Sequence, residues 1–243
     1  MPKPVVVVVD GNNFVSRAFH AGEELTSSEG VNTTAITVSF KMLLKLMQDH
    51  NPDLLIFTWD RGRPKWRKEL LKAYKSDRDK KITDEERALR NESMRMTQDY
   101  FSHCGFVNIS DYELEADDIM YAIAKDEIFK HCDIRLITAD KDLYQALAEN
   151  VVMIPIDKRP YTLEDFREEF NMEPETFHKW KAIAGDKSDS IPGIKGIGKK
   201  WLEACFSNGN TNPIRYAKGR TDATSRALMA GLGEYKTYKK VCN

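Results

Sequence analysis

An α/β domain with a mostly parallel central sheet flanked by helices, followed by a helical region, is the fold class predicted by three features of this 243-residue chain. Apolar runs of strand length at Val5–Val9, Leu54–Thr58 and Ile134–Thr138 alternate with helix-length segments up to about residue 160, and such alternation builds a parallel sheet. The first run is continuously β-branched, which suits a strand covered on both faces. Beyond residue 160 the pattern is helical only. We therefore expect an α/β core over 1–160, carrying a basic segment at about 61–95, and a helical region over 161–243.

The elements follow in order. Asp10-Gly-Asn-Asn comes at the carboxyl end of the first strand, where Gly and Asn permit a tight turn, and Phe14, Arg17 and Ala18 begin a helix. Asp10 either caps that turn or serves a ligand at the sheet edge where open α/β sheets bind. No GxGxxG follows, so a dinucleotide site is not indicated. Thr33 or Thr34 caps a helix to about Gln48, Pro52 breaks the chain, and the second strand closes on FTWD with Asp60. In the next stretch, RGRPKWRKELLKAYKSDRDKK, Trp66, Leu70, Leu71 and Tyr74 fall at helical spacing. Those aromatics either stack on bases beside phosphate-binding lysines or form the buried stripe of a surface helix. Thr83 and Glu86 make a capping box for a helix to about His103, closed by Gly105, and Phe106–Ile109 is a strand. Ile119, Ala122, Ile123 and Ile128 mark a helix starting in the acidic burst Glu115-Ala-Asp-Asp. After the strand Ile134–Thr138 and the burst Asp140-Lys-Asp come a short helix at Leu143–Ala148 and a strand at Val151–Ile156. Thr162 caps a helix to about Phe170, Pro174–Ala184 is another that Gly185 ends, Thr221 caps one to about Ala230, and YKTYKK is a basic, aromatic tail.

A net charge of −1 conceals an uneven distribution. Residues 61–81 carry ten Lys/Arg against three acids, and 190–243 again ten against three, which leaves about −15 on the rest. Two basic regions around an acidic centre suit a phosphate-binding surface beside a metal site, although one charge run alone is usually a solvated face. The four scattered cysteines have no metal-ligand spacing and read as reduced thiols of a cytoplasmic protein. Five histidines form no HExxH pattern, and no apolar run is long enough for a membrane span or an export signal.

The bursts at Glu115, Asp117 and Asp118 and at Asp140 and Asp142 carry the first candidate chemistry. Carboxylates at a helix start are favoured by its dipole, so capping is the plain explanation of the first burst. Gathering them with Asp10 and Asp60 is another matter: two unit charges about 4 Å apart repel by roughly 4 kcal/mol at an effective dielectric near 20. A cluster of that kind needs raised pKa values or bound cations, and hard divalent ions such as Mg²⁺ or Mn²⁺ fit oxygen ligands. The second motif, Asp186-Lys-Ser-Asp189 followed by IPGIKGIGKK, is a helix–hairpin–helix signature over about 185–206. Either this is a plain Gly-rich loop, or Gly193, Gly196 and Gly198 let backbone N–H groups approach a DNA phosphate while Lys199 and Lys200 add charge in the first turn of the following helix.

VDGNN, WD at Asp60, AYKSDRDK, ELEADD, TADKDLYQ and GDKSDSIPGIKGIG occur in that order, and together they resemble the 5′-nuclease family. This family comprises the flap endonuclease and 5′–3′ exonuclease domains of bacterial DNA polymerase I and of free-standing phage or bacterial enzymes. The resemblance covers nearly the whole chain and implies a PIN-like α/β fold with a helical arch and a C-terminal helix-three-turn-helix. It implies a structure-selective phosphodiesterase acting on DNA with a free 5′ end, a flap or a junction, in replication and repair, as a monomer without a membrane role. Counterparts of Asp10, Asp60, Glu115 and Asp117 would surround one divalent ion; those of Asp140, Asp142 and Asp186, with Asp117 shared, the second; Asp118 and Asp189 would be accessory. Lys75 and Arg78 match the basic pair at the base of the arch, and Asp117 and Asp140 count with them as catalytic. Arg17, Lys65, Arg67 and Lys72 are expected to join Lys75, Arg78 and the glycine-rich motif on DNA, with K⁺ bound at that motif. The rival reading is a DNA-binding protein of the same fold without useful turnover.

Overall fold

The computed structural model describes residues 2–21, 24–76 and 83–242 and divides into two units. The first comprises Met1–Arg63, Ile82–Leu143 and Glu149–Tyr161; the second comprises Pro64–Lys81, Tyr144–Ala148 and Thr162–Asn243.

The first unit is built on five parallel strands, β1 (Val5–Asp10), β2 (Leu54–Asp60), β3 (Val107–Asp111), β4 (Asp133–Ile137) and β5 (Val151–Met153). Their order is β3-β2-β1-β4-β5, so the polyvaline run lies at the centre as its composition predicts. In register, Val9 pairs with Phe57 on one side and Ile137 on the other. Because side chains alternate along a strand, Val7 and Val9 share one face with Phe57. There they join Phe14, Leu43 and Phe101 from α1 (Gly11–Phe19), α2 (Thr34–His50) and α4 (Asp84–His103) in one buried cluster. The helix α5 (Ala116–Lys125) packs against β1, β2 and β3 and buries Ala116, Ile119, Met120, Ile123 and Ala124. Thr83 caps α4 by accepting from the Glu86 N–H, and Gly105 follows in the left-handed region.

Several expected boundaries shift, each for a local reason. The expected turn after Asp10 is the first turn of α1 itself, with Asp10 as its N-cap. Ile128 is not on α5: Asp126 turns extended and caps a separate 3-10 turn, leaving Ile128 77% exposed. The helix expected at Leu143–Ala148 is a 3-10 segment at Lys141–Ala146. The strand expected at Val151–Ile156 stops at Met153, two residues before Pro155, which has no N–H to give.

In the second unit the periodicity of Trp66, Leu70, Leu71 and Tyr74 yields only the short α3 (Lys65–Leu70). Leu71 is extended there, and it packs with Tyr74, Ile191 and Val241. The remaining helices are α6 (Leu163–Phe170), α7 (Phe177–Ala184), α8 (Lys199–Phe206), α9 (Pro213–Lys218), α10 (Ala223–Ala230) and α11 (Leu232–Val241). Thr162 caps α6 and Gly185 ends α7, as read from sequence, whereas α10 is capped by Asp222 rather than Thr221. No helix among the described residues is long and apolar enough to cross a membrane.

Candidate active site

Parallel strands bring their carboxyl ends to one edge, and β2, β1 and β4 are neighbours there. Asp60 and Asp10 are the last residues of β2 and β1, and Asp140 lies three residues past β4. Gly11 lets β1 pass straight into α1: a Cβ on it would lie 2.6 Å from the Trp59 ring, so the glycine and the tryptophan beside the two carboxylates depend on each other. Asp10 Oδ1 accepts from the Asn13 N–H at 2.9 Å, and Oδ2 accepts from the Thr138 hydroxyl at 3.3 Å. Thr138 Oγ1 in turn accepts from the Asp140 N–H at 3.1 Å, and Asp140 Oδ1 from the Asp142 N–H at 3.0 Å. Burial, followed by the negative charges of Asp60 and Asp140, pushes the Asp10 carboxyl up to about 7. A carboxyl that ionises so reluctantly marks a place where a cation lowers the energy.

The start of α5 completes this group. Asp60 Oδ1 accepts from the Ala116 N–H at 2.7 Å, tying the end of β2 to the first turn of the helix, while the Asp60 N–H donates to Asn12 Oδ1 at 2.8 Å. Glu115, 5% exposed, is the N-cap, and its N–H donates to Asp118 Oδ2 at 2.9 Å. Glu115, Asp117 and Asp118 each offer a carboxylate oxygen within 4.8 Å of the other two. The capping groups and the candidate ligands thus fall on the same burst. With oxygen donors only, surplus negative charge and a raised Asp10, these residues fit a divalent cation.

In the second unit, the loop after α7 closes on itself. Asp186 and Ile191 exchange two backbone hydrogen bonds of 2.8 Å. Gly185 and Gly193, both at positive φ, cross so closely that a Cβ on Gly193 would lie 2.6 Å from the Gly185 nitrogen. The loop so pinched carries both acidic residues. Asp186 Oδ1 accepts from the Ser188 N–H at 2.8 Å and hydroxyl at 2.6 Å, and its Oδ2 lies 2.6 Å from Lys181 Nζ. Burial opposes the Asp186 charge, yet Lys181 and Ser188 outweigh it and hold the carboxyl down at about 2. Buried Asp189 accepts from the Lys75 N–H at 3.1 Å through its carbonyl, and its Oδ1 lies 4.0 Å from Lys75 Nζ. Lys75 is itself buried and sits at φ 52, a left-handed conformation uncommon for a lysine.

The remaining candidates differ in setting. Lys65, Lys72, Lys199 and Lys200 are exposed. Gly196 is at positive φ and Gly198 is the N-cap of α8. Arg67 is 4% exposed, with its Nε donating to the Val241 carbonyl and its guanidinium over Trp66, so its charge is used inside the unit. Arg17 in the first unit forms an exposed 2.8 Å ion pair with Asp157. Arg78 lies outside the described residues. Sequence reasoning passed over Asn12, Thr138 and Lys181. The first two lie inside the motifs VDGNN and TADKDLYQ, but nothing local in those motifs marks them as supports; Lys181 is betrayed only by being a lysine one turn after Phe177 on an otherwise apolar helix face.

Residues 5–171 match the family model of the N-terminal resolvase-like domain of 5′-3′ exonucleases. The chain belongs to the 5′–3′ exonuclease family. Among curated relatives it is 33% identical over 199 residues to the thermostable DNA polymerase I of Thermus thermophilus, covering 82% of this chain and 23% of the polymerase. It is likewise 33% identical over 204 residues to DNA polymerase I of Bacillus subtilis strain 168, covering 80% of this chain and 22% of that protein. The chain therefore spans less than a quarter of the length of those relatives. Among solved structures, the bacteriophage T5 D15 protein co-crystallised with metal ions superposes with a TM-score of 0.79 at 26% identity, over 97% of this chain and 88% of that one. T5 D15 flap endonuclease in a pseudo-enzyme–product complex with DNA and metal ions gives 0.79 at 25%, over 97% and 87%. The parallel sheet flanked by helices is thus the resolvase-like, PIN-type fold of the exonuclease family.

Proposed function

We propose that this chain is a divalent-metal-dependent 5′ nuclease that hydrolyses DNA phosphodiesters near 5′ ends, flaps or single-strand/duplex junctions, in DNA replication and repair. The observation that carries the reading is the row Asp60, Asp10 and Asp140 at the ends of three adjacent strands, with an Asp10 carboxyl pushed up to about 7. Asp10, Asp60, Glu115 and Asp117 would hold one Mg²⁺ or Mn²⁺. The second is assigned, from the resemblance, to Asp140, Asp142 and Asp186 with Asp117 shared, and with Asp118 and Asp189 accessory. Bound ions of this kind supply a water that ionises near neutral pH and neutralise charge on the attacking and leaving oxygens.

The chain's own groups do the rest. Asn12 and the Ala116 N–H fix the backbone and side chain of Asp60, so its carboxylate points where the fold sets it. Thr138 spaces Asp10 from Asp140 by bonding to both. Lys75 would stabilise the charge that develops on the phosphate, the kind of preorganised donor that acts in the transition state; a buried lysine in an uncommon backbone conformation supports that role. Arg78 would act beside it. α7, the pinched loop and α8 are read as the helix–hairpin–helix, with Gly193, Gly196, Gly198, Lys199 and Lys200 facing duplex phosphates and K⁺ shared with the DNA. Lys65, Lys72 and Arg17 would hold the single strand.

A labelled 5′-flap duplex, incubated with Mg²⁺ or with EDTA, tests the reading. Cleavage that needs Mg²⁺ and fails in Asp140→Asn supports it. Tight flap binding with no metal-dependent cleavage would leave a DNA-binding protein of the same fold instead.

A further inference from the structure

α7 sets Lys181 on its buried face, one turn after Phe177, and leaves it 5% exposed. An ammonium is rarely buried unless a counter-charge holds it. Here the counter-charge is Asp186, whose Oδ2 lies 2.6 Å from Nζ while its Oδ1 takes two hydrogen bonds from Ser188. One turn of loop further on, buried Asp189 faces buried Lys75 at 4.0 Å. A carboxylate oxygen of Asp186 and one of Asp189 lie within 4.8 Å of each other, so the two ammoniums offset clustered negative charge.

Resting on the reading of Asp186 as a metal ligand, we infer that Lys181 is a counter-charge that keeps the divalent ion at Asp186 weakly bound until DNA phosphate arrives, so that this ion and the substrate bind cooperatively. A divalent ion on Asp186 must share that carboxylate with an ammonium already in contact with it, and like charges repel strongly where water is excluded. A phosphodiester brings further negative charge and a further acceptor for the ammonium. The coupling is reciprocal: the ion tightens DNA as much as DNA tightens the ion. Lys181 acts here as a positioning and charge-setting residue and takes no part in bond cleavage.

Mn²⁺ binding to the whole chain, followed by the electron paramagnetic resonance of free Mn²⁺, tests this with and without a hydrolysis-resistant phosphorothioate flap. Wild type should bind the Asp186-dependent ion weakly alone and about tenfold or more tighter with DNA. Lys181→Gln keeps a hydrogen-bond donor without the charge, and Lys181→Met removes both. Each should tighten that ion about tenfold without DNA and shrink the gain that DNA brings, whereas Lys181→Arg should behave as wild type. Unchanged Mn²⁺ affinity in both neutral variants overturns the inference; so does weakening in Lys181→Met alone, which would make Lys181 an orienting donor. Should Lys181→Met fail to fold, Lys181→Gln decides. Asp186→Asn separates the two levels. If it binds Mn²⁺ as wild type does, the assignment of Asp186 falls; if it loses an ion that Lys181 variants leave untouched, only the counter-charge falls.

Discussion

Asp10 holds its proton to about pH 7 because burial and then its negative neighbours disfavour the charge. Its folded pKa lies above the unfolded one, so the folded form binds more protons between about pH 4 and 7; the resulting stabilisation exists on the acid side and is lost as pH rises through 7. A cation reverses the balance. Mn²⁺ binding near pH 6 should therefore release a proton in wild type and not in Asp10→Asn, read by calorimetry in buffers of differing ionisation heat. Equal release from both proteins would remove Asp10 from the site. His178 titrates with the opposite sign: burial, then Lys179 and Lys239, hold its imidazole down at about 4. The unfolded chain takes up that proton first, so stability falls as pH drops from about 6.5 towards 4. His178→Gln should flatten that part of a Tm-against-pH curve, and an unchanged curve would locate the acid sensitivity elsewhere. Gly11 is the third test at this scale. Alanine there must displace the Trp59 ring, and overpacking of that sort costs about 1–3 kcal/mol, visible as a lower urea midpoint.

Among elements, what the sequence made legible depended on whether the signal was local. Capping chemistry lies within four residues, so Thr83, Thr162 and Gly185 marked their helix ends correctly. The strands read true because β-branched runs have little else to do, and β5 was overdrawn only where Pro155 intervened. α3 misled because Leu71 and Tyr74 keep a helical period for a different reason: they pack on Ile191 and Val241, far along the chain. In the same way Arg67 looks like a phosphate contact until the Val241 carbonyl is seen to take it. The glycine-rich loop was legible as special, but one of its causes was not. Gly193 is needed where the backbone crosses Gly185, so Gly193→Ala should destabilise the second unit and lower its melting transition even without DNA. If that variant melts as wild type and loses only DNA affinity, the crossing is not what requires glycine.

For the molecule as a whole, the acidic motifs announced the carboxylates but not their supports. Asn12 and Thr138 are ordinary polar residues whose importance appears only once strands far apart in sequence lie side by side. If the row of carboxylates holds an ion, saturating Mn²⁺ should raise Tm, since a ligand that binds only the folded form stabilises it by mass action. EDTA should bring Tm back, and a melting curve indifferent to both would count against a metal centre. The strand order has a further bearing, on synthesis. β1, β2 and β3 leave the ribosome before β4, and β4 joins on the opposite side of β1. A nascent chain can pair its first three strands before Asp140 has emerged beside them. The trio of carboxylates is therefore complete only once β4 and the residues just after it have joined, and the first three strands by themselves hold two of its three members.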